Sequence, residues 1–305
     1  MSLAVIPALL VLGQTTGPVT FLKTIQGIRP IAYAPMSGSR FVASLENREI
    51  RIYDAKTRMP LKKFVGHPQT AYGIDWCPTT NMLASGDESG RIFFWSVASG
   101  KKIREVRTHT RGVQAVSFNK AGTVLVSTGK DDTLRFYQVS TGKELKVMPG
   151  KGANFYGARF VPGSESVIVG TLGQGSWVIS GYQKKRSMSG HSDMAVWDVD
   201  IAGGKMVSAG RDGNSIVWNY ASGAKIQTLK GHADWVINCA ASPAGKWLAT
   251  SSSDTSVKIW DLKSYQNVAT LPNHTSVGSP LCFTADGKFL LTVGIDDFMN
   301  IYSVK

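Results

Sequence analysis

The chain has 305 residues, 43% of them hydrophobic, and its 34 Lys and Arg against 21 Asp and Glu give a net charge of +13. That is the composition of an ordinary globular chain with ample core, and it excludes a low-complexity or disordered one. Three cysteines, Cys77, Cys239 and Cys282, form an odd set at unaligned places; they read as buried apolar side chains and exclude a disulfide framework or a CxxC metal site.

The chain opens MSLAVIPALLVLGQTTGP, with an apolar run from Ala4 to Gly13 that is too short to span a bilayer. Residues 1–19 read in one of two ways. They are a secretory signal cut before Gln14, or an arm packed on the body of a cytoplasmic protein. No Lys or Arg precedes the run, which weakens the first reading.

From residue 20 the chain repeats itself. The first repeat, 20–54, carries the strand-like runs FLKTIQ, IAYA, FVASL and IRIYD. The second and third, 61–95 and 103–137, have the turns DESG and KDDT. The fourth, about 145–177, is the most degenerate, with a glycine-rich turn GTLGQGS. The last three, about 183–302, are regular, and GHADWVINCAASPAGKWLATSSSDTSVKIWD (Gly231 to Asp261) is the clearest copy.

An aromatic closes the third strand of each unit, at Tyr53, Trp95, Tyr137, Trp177, Trp218, Trp260 and Tyr302, with intervals of 42, 42, 40, 41, 42 and 42. Thirteen residues after each of the first six lies a second landmark, at Gly66, Thr108, Gly150, Gly190, Gly231 and Asn273, followed by histidine in five cases. Four short strands at a period near forty predict an all-β, seven-bladed β-propeller of four-stranded antiparallel blades, filling residues 20–305 as one domain.

The Gly-His pairs at 190–191 and 231–232, the turns RDGN and SDTS and the pair Trp260-Asp261 resemble the WD-repeat family. The resemblance implies that each repeat straddles two blades, so the N-terminal outer strand FLKTIQ pairs with the set ending at Tyr302 and closes the ring. It also implies hydrogen-bonded tetrads of histidine, Ser or Thr, aspartate and an aromatic. Carried over, these are His191, Ser208, Asp212 and Trp218; His232, Thr250, Asp254 and Trp260; His109, Ser127, Asp131 and Tyr137; and His274, Thr292, Asp296 and Tyr302. The second repeat has His67, Ser85 and Trp95 but Ser89 at the aspartate position, so its tetrad is expected to be incomplete. In the fourth, Lys151 replaces the histidine and Thr171 the aspartate.

Those assignments use all five histidines. None is left as a general base or metal ligand, so a non-catalytic protein without cofactor is expected. GTLGQG runs into the strand SWVIS, where a phosphate-cradling loop needs a helix. Asp131-Asp132 and Asp296-Asp297 lack the alternation of a calcium loop and read as a tetrad aspartate with a solvated neighbour.

Basic residues cluster in or just before outer strands: Lys62-Lys63, Lys101-Lys102-Arg104, Lys143-Lys146 and Lys184-Lys185-Arg186. They either protect exposed sheet edges or form a perimeter belt that attracts nucleic acid or another polyanion. A protein or peptide partner is the leading expectation for a monomeric propeller acting as an interaction scaffold, with the polyanion belt as the alternative. No integral membrane segment is expected.

The resemblance places partner contacts on the top rim, three residues after the histidine and just before the tetrad aspartate. Those positions hold Thr70, Gly112, Asn154, Met194, Trp235 and Val277, and Lys130, Arg211, Ser253 and Ile295. Trp235, Arg211 and Met194, with Lys130 and Thr70, are the candidate partner-binding residues, because Trp, Arg and Met concentrate interface energy.

Overall fold

The structure is a computed structural model that describes residues 15–275 and 279–305. The readings of residues 1–13 as signal or arm, and of Val277 as a rim position, lie outside the described residues. Among those described, no helix occurs and none therefore is long and apolar enough to cross a membrane. Alternating or continuous apolar runs of four to seven residues, punctuated by Gly, Asp, Asn and Ser turns, can only form short strands.

The strands form seven antiparallel sheets. Blade 1 comprises Pro30–Pro35, Arg40–Leu45, Ile50–Asp54 and Met59–Phe64, in that order from inside to outside. Blades 2 to 6 start at Ala71, Val113, Phe155, Val196 and Val236 and repeat this order. Blade 7 takes Cys282–Phe283, Phe289–Val293 and Met299–Val304 from the end of the chain, and its outer strand, Val19–Ile25, from the beginning. Phe21 lies opposite Tyr302, so the ring closes by the clasp. Thr15–Thr16 adds a short fifth strand outside it.

The core lies between blades. Tyr33, Phe41 and Tyr53 of blade 1, for example, pack with Leu291, Met299 and Ile301 of blade 7. A single blade therefore buries little without its neighbours, and stability is a property of the closed ring.

Basic outer-strand residues contribute to ring assembly in a way that neither sequence reading anticipated. Lys62 donates to the carbonyls of Val97 and Ala98 in the next blade. Arg104 does the same to Val139 and Ser140, and Arg186 to Tyr220 and Ala221. Each caps carbonyl groups of a neighbouring turn. Gly142 and Gly223 hold the left-handed backbone of these turns, φ 74° and 75°, and a Cβ at either would strike the arginine stem.

Blade 4 departs from the expected register. Elsewhere the closing aromatic lies opposite the residue two before the tetrad Ser or Thr, as Trp95 opposite Leu83 and Trp218 opposite Met206. In blade 4 that place, opposite Val167, belongs to Ile179, while Trp177 faces Val169. The interval of 40 residues reflects this inward shift of the aromatic. Thr171 consequently sits two positions after the Ser level, the place that Asp87 holds in blade 2, and its hydroxyl donates to the Gly175 carbonyl at 2.7 Å.

Candidate functional site

Each tetrad is built from a loop histidine entering a blade from its top end. In blade 5, His191 Nδ1 meets Asp212 Oδ1 at 2.8 Å, its Nε2 meets Ser208 Oγ at 2.8 Å, and Trp218 Nε1 donates to the same hydroxyl at 2.9 Å. His232, Asp254, Thr250 and Trp260 repeat this at 2.9, 2.8 and 2.9 Å. In blade 3, His109 bonds Asp131 and Ser127 at 2.9 and 2.7 Å. Burial pushes the pKa of Asp131 and Asp212 up, but the histidine together with the Thr133 hydroxyl and Thr110 N–H, or the Ser192 N–H and Asn214, outweighs it and holds both carboxylates well below their usual range. Asp254 is held low by Ser256, the Ala233 N–H and His232 together, against the same burial.

The second blade corrects the sequence reading. Its tetrad is complete, because Asp87 supplies the carboxylate: His67 Nδ1 lies 3.0 Å from Asp87 Oδ2 and Nε2 lies 2.6 Å from Ser85 Oγ, to which Trp95 Nε1 donates at 2.8 Å. Asp87 is on the strand, two residues after Ser85, where blades 3 and 5 carry Gly129 and Gly210. A Cβ at either glycine would collide with the histidine and the aspartate that reaches in from the turn. Blade 2 puts the carboxylate itself in that space, and Ser89 only donates to it, at 2.7 Å.

Two further expectations change. His274 bonds Thr292 at 2.8 Å, but its Nδ1 faces the Leu271 carbonyl at 3.2 Å, and Asp296 Oδ1 accepts from the Phe298 N–H. Burial lowers the pKa of His274 to about 4, and that of the Tyr302 phenol beside it is raised to about 12 by burial. Asp132 is no solvated neighbour: it accepts from the N–H groups of Gly152 and Asn154 at 2.6 and 2.7 Å, tying down the loop that carries Lys151.

The feature that sequence reasoning missed is the channel. A cavity of about 470 Å3 opens at its top mouth, walled by Tyr72, Tyr156, Trp197 and Trp235. Trp197 and Trp235 stack at 6.0 Å and 29°, and Tyr156 stands edge-on to Trp197 at 4.9 Å. Trp235 is 45% exposed. Arg159 and Asp198 line the floor, Asp200 lies 3.9 Å from Arg159, and Asp75 acts electrostatically on the same guanidinium.

Three carboxylates thus share one guanidinium. Each also accepts an N–H from the next blade: Asp75 from Phe118 at 2.8 Å, Asp198 from Cys239 at 3.3 Å and Asp200 from Ala241 at 2.8 Å. These bonds satisfy N–H groups on the free inner edges of blades 3 and 6. Burial raises Asp75 and Asp198 to about 6, against the pull of Arg159. The signal was present as charges inside apolar inner strands, GIDWC, FYGARF and VWDVDIA, but alternation alone does not say that those side chains point to one axis.

Of the candidate partner residues, Trp235 lines this cavity together with Ser253. Lys130 lies 5.2 Å over the Tyr72 ring, pairs with Glu88 at 3.6 Å, and lines a second hollow of about 190 Å3 with Arg111 and Tyr156. Arg211 is engaged with Asp193 at 2.6 Å. Met194 has a left-handed backbone, φ 55°, and its carbonyl accepts from Gly173 and Gly175. Thr70 reaches the Glu46 carbonyl at 3.4 Å. Among the described residues no cluster of three or more His, Cys, Asp or Glu is arranged to hold a metal.

A closed ring of seven four-stranded blades, pinned by buried His-Asp-Ser/Thr-aromatic tetrads, defines a propeller whose exposed chemistry lies at its ends. A profile described as "WD domain, G-beta repeat" matches residues 182–219 and 223–261, and one described as "Anaphase-promoting complex subunit 4 WD40 domain" matches residues 74–155. The chain belongs to the WD-repeat family.

Curated relatives are distant. Nuclear distribution protein PAC1 of Arthroderma benhamiae is 24% identical over 237 residues, covering 75% of this chain and 48% of that protein. Periodic tryptophan protein 2 of Arabidopsis thaliana is 24% identical over 283 residues, covering 84% and 31%. WD repeat-containing protein srw1 of Schizosaccharomyces pombe is 24% identical over 255 residues, covering 81% and 44%. The chain spans about half the length, or less, of these relatives.

Proposed function

We propose that this protein is a non-catalytic interaction scaffold whose top face takes a segment of a partner protein, with a basic side chain entering the channel mouth. The observation that carries this reading is the cavity walled by Tyr72, Tyr156, Trp197 and Trp235 above Asp198. Aromatic faces attract cations, and a rigid aromatic anchor site concentrates binding energy. The floor favours the same charge, because Arg159 is already over-neutralised by Asp75, Asp198 and Asp200. The relatives support a scaffold rather than an enzyme.

Trp235 remains at the centre of the patch, with Trp197 and Tyr156 as its neighbours; Arg211, Met194, Lys130 and Thr70 flank it. The test is binding to an immobilised peptide library by wild type, Trp235→Ala and Asp198→Asn. Selection of Lys- or Arg-containing peptides by wild type, weakened by about 2 kcal/mol or more in Trp235→Ala, is expected. Retention of the same peptides by both variants would sink the reading.

A further inference from the structure

The two ends of the propeller carry opposite charge. Antiparallel order puts the connections of strands one to two and three to four of every blade at the end away from the tetrads. Those turns hold eight Lys and Arg against two acidic residues, Glu165 and Asp286, whereas the turns at the tetrad end hold seven basic against eleven acidic. The charge of the chain is therefore concentrated away from the channel mouth, on the bottom end and the outer strands.

The basic residues of the bottom end lack close carboxylate partners, although Asp54 and Asp261 at the neighbouring strand ends feel the charges of Lys56 and Lys246. On the top, three of the seven, Arg29, Lys130 and Arg211, are paired with Glu46, Glu88 and Asp193. On the bottom, none of the eight has a carboxylate within 4.0 Å among the described residues, and all are exposed. They lie in blades 6, 7, 1, 2 and 3, and blades 4 and 5 contribute none.

We infer that this arc is a docking surface for an anionic lipid bilayer. The turns are only two to six residues long, so none stands up as the wall of a groove that would follow a nucleic-acid strand. The charges come one or two per blade across a broad end and do not form a stripe. Nearby aromatic rings are engaged: Lys246 lies 4.4 Å over the Trp247 ring and Trp76 packs against the core between blades 1 and 2, which leaves little platform for stacking bases. Beside Arg58, Met59 is 60% exposed and offers an apolar side chain to the interface. Juxtamembrane lysines of this kind act additively and within a Debye length of the surface.

The experiment is sedimentation of the full chain with phosphatidylcholine vesicles, with and without phosphatidylserine, at rising salt. Lys56→Glu/Arg58→Glu and Lys246→Glu/Lys263→Glu are compared with Arg111→Glu/Lys151→Glu, which makes the same charge change on the top. Binding only to the serine-containing vesicles, reduced by ~10-fold or more in each bottom variant and by much less in the top one, is expected. If a bottom variant fails to fold, Lys120→Glu/Lys288→Glu takes its place. Equal losses from both ends would reduce the effect to net charge and overturn the surface. So would an absence of vesicle binding at physiological salt, or RNA binding that the bottom variants abolish while vesicles go unbound. Peptide selection at the channel mouth is read separately, so either end can fail without the other.

Discussion

Thr108 Oγ1 lies 2.5 Å from the hydroxyl of Tyr137, and the two residues replace the glycine and tryptophan that blades 2, 5 and 6 carry at the same places. In those blades the glycine leaves room for the indole: a Cβ at Gly66, Gly190 or Gly231 would meet Trp95, Trp218 or Trp260. The smaller phenol frees that space, and a threonine fills it with the partner that the hydroxyl needs.

The pair should behave as a unit. Thr108→Val should cost about 1–3 kcal/mol by leaving the phenol short of a partner, while Thr108→Gly/Tyr137→Trp should recover part of that loss. Urea titrations of the single and double variants measure the coupling; additive losses would refute it.

Asp87 and Ser89 can be told apart in the same way. Removing the carboxylate by Asp87→Ala leaves His67 Nδ1 without its acceptor in a buried site and should cost about 3 kcal/mol or more. Ser89→Ala removes one hydroxyl bond, worth about 1 kcal/mol. Equal effects in thermal unfolding would mean that the second tetrad is not organised by Asp87.

The channel carboxylates set a pH dependence of definite sign. Asp75 and Asp198 titrate near 6 in the folded protein, above the ordinary carboxylate value, so the folded state binds more protons between about pH 4 and 6 and gains stability as pH falls through that window. The lowered pKa of His274, and that of His232, work oppositely, since the unfolded chain takes up protons first below about 6.5. Asp75→Asn isolates the first contribution. Relative to wild type it should be more stable at pH 8 than at pH 5, by a difference on the order of 1–2 kcal/mol once channel water is allowed for. Unfolding curves at the two pH values give the difference directly.

The three cysteines should be inert in the folded protein. Cys77, Cys239 and Cys282 are buried, and burial pushes the thiols of Cys239 and Cys282 far up. A thiol reagent should label none of them until denaturant unfolds the ring. Labelling of Cys239 in the native state would show that its strand opens locally.

The clasp predicts that deletion of residues 1–26 destabilises the whole propeller and not blade 7 alone. Val19 is fully buried against blade 6 and 7 residues, and Val19–Ile25 supplies an entire strand. Loss of a single cooperative transition, with aggregation through the exposed edge of Met299–Val304, is the expected result.

Much was already legible in the residue order. The number of blades, the clasp and the histidine-aspartate-hydroxyl sets of blades 3, 5 and 6 follow from two landmarks at one period, because strand and turn lengths are local properties that repeat wherever their residues repeat. Local spacing misled where a turn changed length or a carboxylate changed strand. Trp177 kept the approximate interval while moving to another register position, and Asp87 left the usual aspartate position for the strand itself.

Other features had no local signature. Lys62, Arg104 and Arg186 read as edge charges until the ring brought each to the carbonyls of the next blade. Arg159, Asp75, Asp198 and Asp200 belong to three different blades, and Trp197 meets Trp235 across the boundary between blades 5 and 6. Only closure turns such residues toward one axis and one end, because a strand's alternation specifies two faces but never the neighbour that each face will meet.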